Sequence, residues 1–269
     1  MAIHSIYKDF IRFLDRLNEN EDQWKAYQKY YLEPYKDFLL NYWQHFQGIG
    51  IEEIKERVER IKGRHYSNLK SLVAQENLEK IIENALIRCK EIIAPPYEPD
   101  IYLIVGFFSP EGFVIEFKSK PIIGIGLERF KDFNLLDIAF AHEYAHWLAS
   151  CLNDYSNPKG TLGNKLLHEG LAFVFSKLAF PNKPLYKNLF LSRATLNWCI
   201  ANEEYLLAIA KSKINSTVAA SDLFKLDGQE LGIPPRAGNY ISYKLVGQYL
   251  SNQGREKLKQ LLTLREISL

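Results

Sequence analysis

Apolar residues recur at helical spacing through the first ninety-odd residues of the chain. Phe10, Ile11, Phe13, Leu14 and Leu17 form one stripe. From Glu21 to about Phe46 a second stripe is strongly aromatic, with Trp24, Tyr27, Tyr30, Tyr31, Tyr35, Phe38, Tyr42, Trp43 and Phe46. Pro34 should kink or divide it, because proline lacks the N–H that a helix interior needs. At helical spacing, with no dense basic patch, such a stripe predicts core packing rather than base stacking. Gly48-Ile49-Gly50 punctuates, and two further helices are expected over 51–75 and 77–93.

After Ala94-Pro95-Pro96 the period changes from 3.6 to 2. Ile101, Leu103, Val105 and Phe107 alternate with their neighbours, as do Phe113, Ile115 and Phe117. Ser109-Pro110-Glu111-Gly112 between them is turn chemistry. A third run, Ile122-Ile123-Gly124-Ile125-Gly126-Leu127, completes a small, mostly antiparallel sheet. Its glycines mark close approach of another backbone. Helical spacing returns after Phe130. The order predicts an α+β fold: a helical N-terminal region over 1–95, and a core over 96–269 with a short sheet followed by helices.

Composition narrows the class. Lys and Arg number 34 against 32 Asp and Glu, a formal charge of +2, so nothing calls for a nucleic acid or an anionic membrane. The strongest apolar run, Ile101 to Phe108, is far short of the ~18–20 residues of a membrane helix, so no membrane span is expected. The first twenty residues have no apolar core and no small-residue cleavage site, which argues against a signal peptide. Cys89, Cys151 and Cys199 are few, odd in number and dispersed, which suits a reducing compartment. The expected location is the cytoplasm.

The chemistry concentrates at His142-Glu143-Tyr144-Ala145-His146. Asn134 is a candidate N-cap, with Asp137 three residues on. Leu135, Ile138, Ala139, His142, His146 and Ala149 then fall on one helical stripe. Two imidazoles four residues apart on a helix can ligate one ion at about 2.0–2.1 Å. Glu143, one step round from His142, takes the position of a general base for a metal-activated water. His4, His45 and His65 lie in segments read as amphipathic helix and are assigned structural or solvent-exposed roles.

A catalytic zinc needs a third protein ligand and an open fourth position. Ala149 and Leu152 stand where a third histidine motif would require Gly and His, which excludes that arrangement. Asp154 lies in a loop-like stretch. Glu169 lies in Leu166-Leu167-His168-Glu169-Gly170-Leu171-Ala172-Phe173, a helix apolar almost all round. There an ionised carboxylate costs several kcal/mol unless it is paired or coordinated. Gly170, which costs a helix about 1 kcal/mol against Ala, points to another helix packed close at that turn. Glu169 is therefore preferred. His168, pointing about 100° away from it on the helix, and Asp154 remain alternatives.

The His142–His146 motif, Glu169-Gly170-Leu171-Ala172, Gly126-Leu127 and the later Ile233-Pro234-Pro235-Arg236-Ala237-Gly238-Asn239-Tyr240-Ile241-Ser242-Tyr243 together resemble the zincin peptidases with a glutamate as third ligand (gluzincins). More narrowly they resemble the DUF2268 family of predicted zinc-dependent proteases. The resemblance covers roughly residues 95–255. It departs at Asn239 and Ser242, where the family pattern has Tyr and Gly. It implies a zincin-like fold, one zinc per chain held by His142, His146 and Glu169, and a peptide or protein as substrate. It also implies a tyrosine that binds the oxyanion, Tyr240 first and Tyr243 second. Arg236 is then a candidate substrate contact. The edge strand before the active helix, here 122–127 with Gly124, Ile125 and Gly126, would pair with an extended peptide. The alternative is a catalytically inactive zincin-fold binding protein.

Overall fold

The computed structural model describes residues 2–17, 22–107, 110–152, 160–217, 223–224, 232–251 and 256–262. Part of the Ser109–Gly112 turn, Phe108 and Asp154 lie outside the described residues. The chain groups into two compact units, residues 1–84 with 96–143, and residues 85–95 with 144–269.

The first unit is built on a four-stranded sheet. Its strands are β1 (Ala2–His4), β2 (Asp100–Ile104), β3 (Gly112–Phe117) and β4 (Lys120–Gly126), in the order β1-β2-β4-β3. β1 pairs with β2 and β2 with β4 in parallel, while β3 pairs with β4 antiparallel. The class is α+β, but the sheet is mixed and mostly parallel rather than mostly antiparallel. The correction comes from β1, three residues read as the start of a helix, and from β2, which reaches β4 by a crossover instead of a hairpin. His4, expected among helices, stands on β1 and stacks on Tyr102 at 4.3 Å.

β3 and β4 are joined by a two-residue turn, Lys118-Ser119, with φ of 51° and 60°. Such a turn matches the twist of its strands even though neither residue is glycine.

The helical expectations hold in outline. α1 (Tyr7–Arg16) buries Phe10, Phe13 and Leu14. The aromatic segment is broken into α2 (Gln23–Tyr27), a π-helical turn, a 3-10 turn containing Pro34, and α3 (Lys36–Gln47). Tyr27, Tyr31, Phe38, Tyr42 and Trp43 are buried, as core packing requires. Gly48, in the left-handed region at φ 60°, caps α3. The single helix expected over 51–75 is two, α4 (Ile51–Glu59) and α5 (Ser67–Gln75). The side-chain amide of Gln23 donates to the carbonyls of Val58 and, at 3.0 Å, Ile61. It thereby satisfies the free end of α4 from a distant point of the chain.

One face of the sheet packs on α3. Phe38 stacks on Tyr102 at 4.1 Å, and Phe113 meets Tyr42 and Phe46, each at 5.0 Å. Beyond β2 the backbone of residues 105–107 is clamped by the same helical region. Tyr31 Oη donates to Val105 O at 2.9 Å and accepts from Val105 N at 3.1 Å. Gln47 Nε2 donates to Gly106 O and Phe107 O, and Glu128 accepts the Gly106 N–H at 2.9 Å. Phe107 is held at φ 54°.

α6 (Leu78–Ile92) and α7 (Leu136–Leu152) run from the first unit into the second. In the second, α8 (Leu162–Ala179) packs along α12 (Ala237–Ser251). α9 (Leu185–Asn188), α10 (Arg193–Ala201), α11 (Glu203–Ser212) and α13 (Glu256–Leu262) complete the described helices.

Tyr31 is fully buried and satisfies both polar groups of Val105. Tyr31→Phe should therefore lower stability by about 1–3 kcal/mol, the cost of leaving buried backbone groups unpaired, as read by urea unfolding. A change under a few tenths would mean that water replaces the hydroxyl.

Candidate metal centre

α7 begins at Leu136, one residue beyond the start that an Asn134 cap implies, and a 3-10 turn precedes it. Asp132, not Asn134, caps the 3-10 turn Phe133–Leu135 by accepting the Asn134 N–H at 2.9 Å, and the α-helix follows from Leu136. The helix is covered nearly all round rather than along one stripe. From Ile138 to Ala149 only Glu143 and His146 are less than buried. One turn apart, they share the one partly open face of a helix otherwise closed. His142, 6% exposed, sits one step round. The Tyr144 hydroxyl fixes the same turn by donating to Ile93 O at 3.1 Å, and its ring packs on Trp147 and Phe175.

α8 supplies the third group. Thr161 caps it, accepting the Asn164 N–H at 3.4 Å. Two turns on, Glu169 Oε1 lies 4.0 Å from His146 Nε2. The close approach expected at Gly170 is real. A Cβ there would lie 2.3 Å from Ser242 O and 2.5 Å from Val246 Cγ2, so α12 meets α8 backbone to backbone.

Among the described residues one group of His, Cys, Asp and Glu side chains converges enough to share an ion. It consists of His142, His146 and Glu169, with one donor atom from each within 4.8 Å of the others. Two imidazoles and a carboxylate are a donor set that zinc takes at about 2.0–2.2 Å, and small side-chain adjustments close the remaining gap. His168 is outside this group. Burial pushes its imidazole pKa down, against the opposing effect of Glu169.

The late tyrosine motif forms the start of α12. Arg236, just ahead of it, is at φ 59°, and its carbonyl accepts the Asn239 N–H at 2.9 Å. The Tyr240 hydroxyl donates to Glu203, whose carboxylate also pairs with Lys244 at 3.1 Å. Burial, then Glu203, holds the Tyr240 hydroxyl far above its usual pKa. Tyr243 is partly buried against the core of this unit. Its pKa is raised by burial, against the opposing effect of Lys244.

The 122–127 run is not an edge. β4 lies between β2 and β3, with Gly124 opposite Tyr102 on one side and Phe113 on the other. The space beside Gly124 is filled by the Phe113 ring, which a Cβ would meet at 2.0 Å. Gly124, Ile125 and Gly126 are therefore interior sheet positions, and strand order, which no local pattern encodes, is the reason for the correction.

The free edge near Glu143 is that of β3, a strand the sequence reading did not connect with the site. Phe117 and Lys120 flank the two-residue turn and so form a hydrogen-bonded pair. Alternation then leaves Gly112, Val114 and Glu116 with N–H and C=O turned to the outer edge. The Gly126 N–H donating to Glu111 O at 3.3 Å agrees with that alternation. Asn41 covers Glu116 O at 2.9 Å, and among the described residues no strand pairs with the edge at Gly112 and Val114.

A profile of DUF2268, the predicted Zn-dependent protease family, matches residues 119–267, more than half of the chain. The protein belongs to that family. No curated protein and no solved structure matches it. Among the described residues no helix is long and apolar enough to cross a membrane.

A methyl group at Gly170 would press on backbone that cannot swing aside. Gly170→Ala should cost about 1–3 kcal/mol, as overpacking does, and should also weaken zinc binding by displacing Glu169. Urea unfolding and zinc titration check the two effects, and an unchanged zinc affinity would separate Glu169 from the helix contact.

Proposed function

We propose that the chain is a zinc-dependent peptidase of zincin-like fold, with one zinc held by His142, His146 and Glu169. The observation that supports this reading is the convergence of the three donors at the one partly open face of α7, with Glu143 on the same face. Bound there, zinc would polarise a scissile carbonyl and lower the pKa of a water to about 7. Glu143 takes a proton from the attacking water and passes it to the leaving amine.

The substrate is a peptide or protein segment in extended form. Its backbone pairs with the outer edge of β3, at the N–H and C=O of Gly112 and Val114. Of the two tyrosines, Tyr243 takes the oxyanion role, because the Tyr240 hydroxyl is already committed to Glu203. Arg236 is assigned to substrate binding on its place in the family motif alone.

The first test is bound metal per chain. About one zinc in the wild-type protein, much reduced in Glu169→Ala, is expected for an ion held by three protein ligands. Metal retained in the variant would move the third ligand to His168 or Asp154. Glu143→Gln should keep the zinc and lose about 10²–10⁴-fold in kcat on a peptide library. Absence of hydrolysis in both forms, with specific partner capture, would leave a binding protein.

Tyr243→Phe should lower kcat by about 10²–10³-fold with zinc retained, as loss of an oxyanion donor does. Tyr240→Phe should act mainly on stability. The reverse pattern in kinetics and thermal unfolding would return the oxyanion role to Tyr240.

A further inference from the structure

Gly112 opens β3 and pairs with Ile125 of β4. Its backbone is not in the left-handed region; the described glycines with positive φ are Gly48 and Gly232. Backbone conformation therefore gives no reason for glycine here, and strand propensity argues against it. The reason lies across the face of the sheet. A Cβ on Gly112 would stand 2.3 Å from Glu143 Cγ and 2.8 Å from both Cδ and Oε1. Other glycines of this unit are closed off by aromatic rings, Gly106 by Tyr42 and Gly124 by Phe113. At Gly112 the missing side chain instead leaves room for a carboxylate-bearing chain.

We propose that Gly112 is a positioning residue for Glu143: its bare α-carbon forms the wall that sets the side-chain rotamer of the general base. This deepens the peptidase reading and rests on it. The consequence is geometric. Gly112 is also where β3 turns its N–H and C=O to the outer edge, so one residue sets both the base and the backbone against which a scissile peptide is laid. The distance between base and substrate is then fixed by a single strand position. The strand is braced from its other face, where Phe113 packs on Tyr42 and Phe46 of α3. A methyl at 112 cannot push β3 away and must instead turn Glu143 out of its rotamer.

The test combines kinetics with a stability cycle in the full-length protein. Gly112→Ala should keep about one zinc per chain, leave KM within about twofold, and lower kcat about 10²-fold, the scale of a misplacement near 1 Å. In the zinc-free protein it should lower the unfolding midpoint by about 2–4 °C, as a side chain forced off its rotamer does in a chain of this size. That loss should vanish in a Glu143→Ala background, where the space is vacated. If Gly112→Ala does not fold, the double variant should, and failure of both would overturn the proposal. Equal midpoint losses in the two backgrounds, or an unchanged kcat, would also overturn it. Should no form hydrolyse any peptide, the peptidase reading falls by itself, while the midpoint cycle still decides whether Gly112 holds Glu143.

Discussion

The site depends on a helix contact that only a glycine permits. At Gly170 the backbones of α8 and α12 meet closely, Ser242 O standing 2.3 Å from where a Cβ would be. The residue just before that contact on α8 is Glu169. Moving α8 outward by the width of a methyl group would carry the carboxylate away from His146, now 4.0 Å from it. A half-buried carboxylate beside two imidazoles is unfavourable as a set of isolated groups, since burial disfavours the charged form. A shared cation turns the same arrangement into one that holds together. The packing that brings the groups together and the chemistry that stabilises them are thus separate requirements on adjacent residues.

The same device recurs in the first unit. Gly106 admits the Tyr42 ring, Gly124 the Phe113 ring, and Gly112 the side chain of Glu143. Gly112 and Gly124 weaken their strands locally, yet all three glycines let a bulky or charged group lie close against the backbone. On one face of the sheet the result is an aromatic layer running from Tyr102 and Phe38 to Phe113 and Phe46. On the other, Gly112 lies against the side chain of Glu143 on α7. The N-terminal helices pack on the aromatic face. They hold residues 105–107 and the buried face of β3, which leaves the opposite face of that strand in a fixed place.

Much of this was legible in the residues. That His142, His146 and Glu169 converge was legible because charged or ligating groups in apolar helical stretches demand compensation, and helix periodicity says which groups share a side. The aromatic stripe reads as core at Tyr27, Tyr31, Phe38, Tyr42 and Trp43, whereas Phe46 at the end of α3 is exposed. What the pattern could not carry was nonlocal. β1 is three residues long, too short for any period to register, and it converts the expected antiparallel sheet into a mostly parallel one. Gln23 ends α4 across 35 positions of sequence, so the break within 51–75 has no strong local signal. Strand order decided the largest difference: β4 reads like an edge because it precedes the active helix, yet β3 folds back outside it.

That difference alters how the site should be understood. Were β4 the edge, its glycines would be open subsites, and selectivity would come from what fits beside Gly124 and Gly126. With Phe113 lying over Gly124, that space is filled from within, and the outer row on β3 is Gly112, Val114 and Glu116. Exposure rises along it, from the partly covered Gly112 and Val114 to the open Glu116. A segment added to this edge would find the tightest fit beside Glu143 and progressively looser surroundings toward the Lys118-Ser119 turn. Cross-strand neighbours contribute about 0.2–1 kcal/mol each, so selectivity from such a row is graded rather than strict. An extended segment on this edge would thus be held by backbone pairing, with the closest fit at the residue beside Glu143, because of the order of the strands.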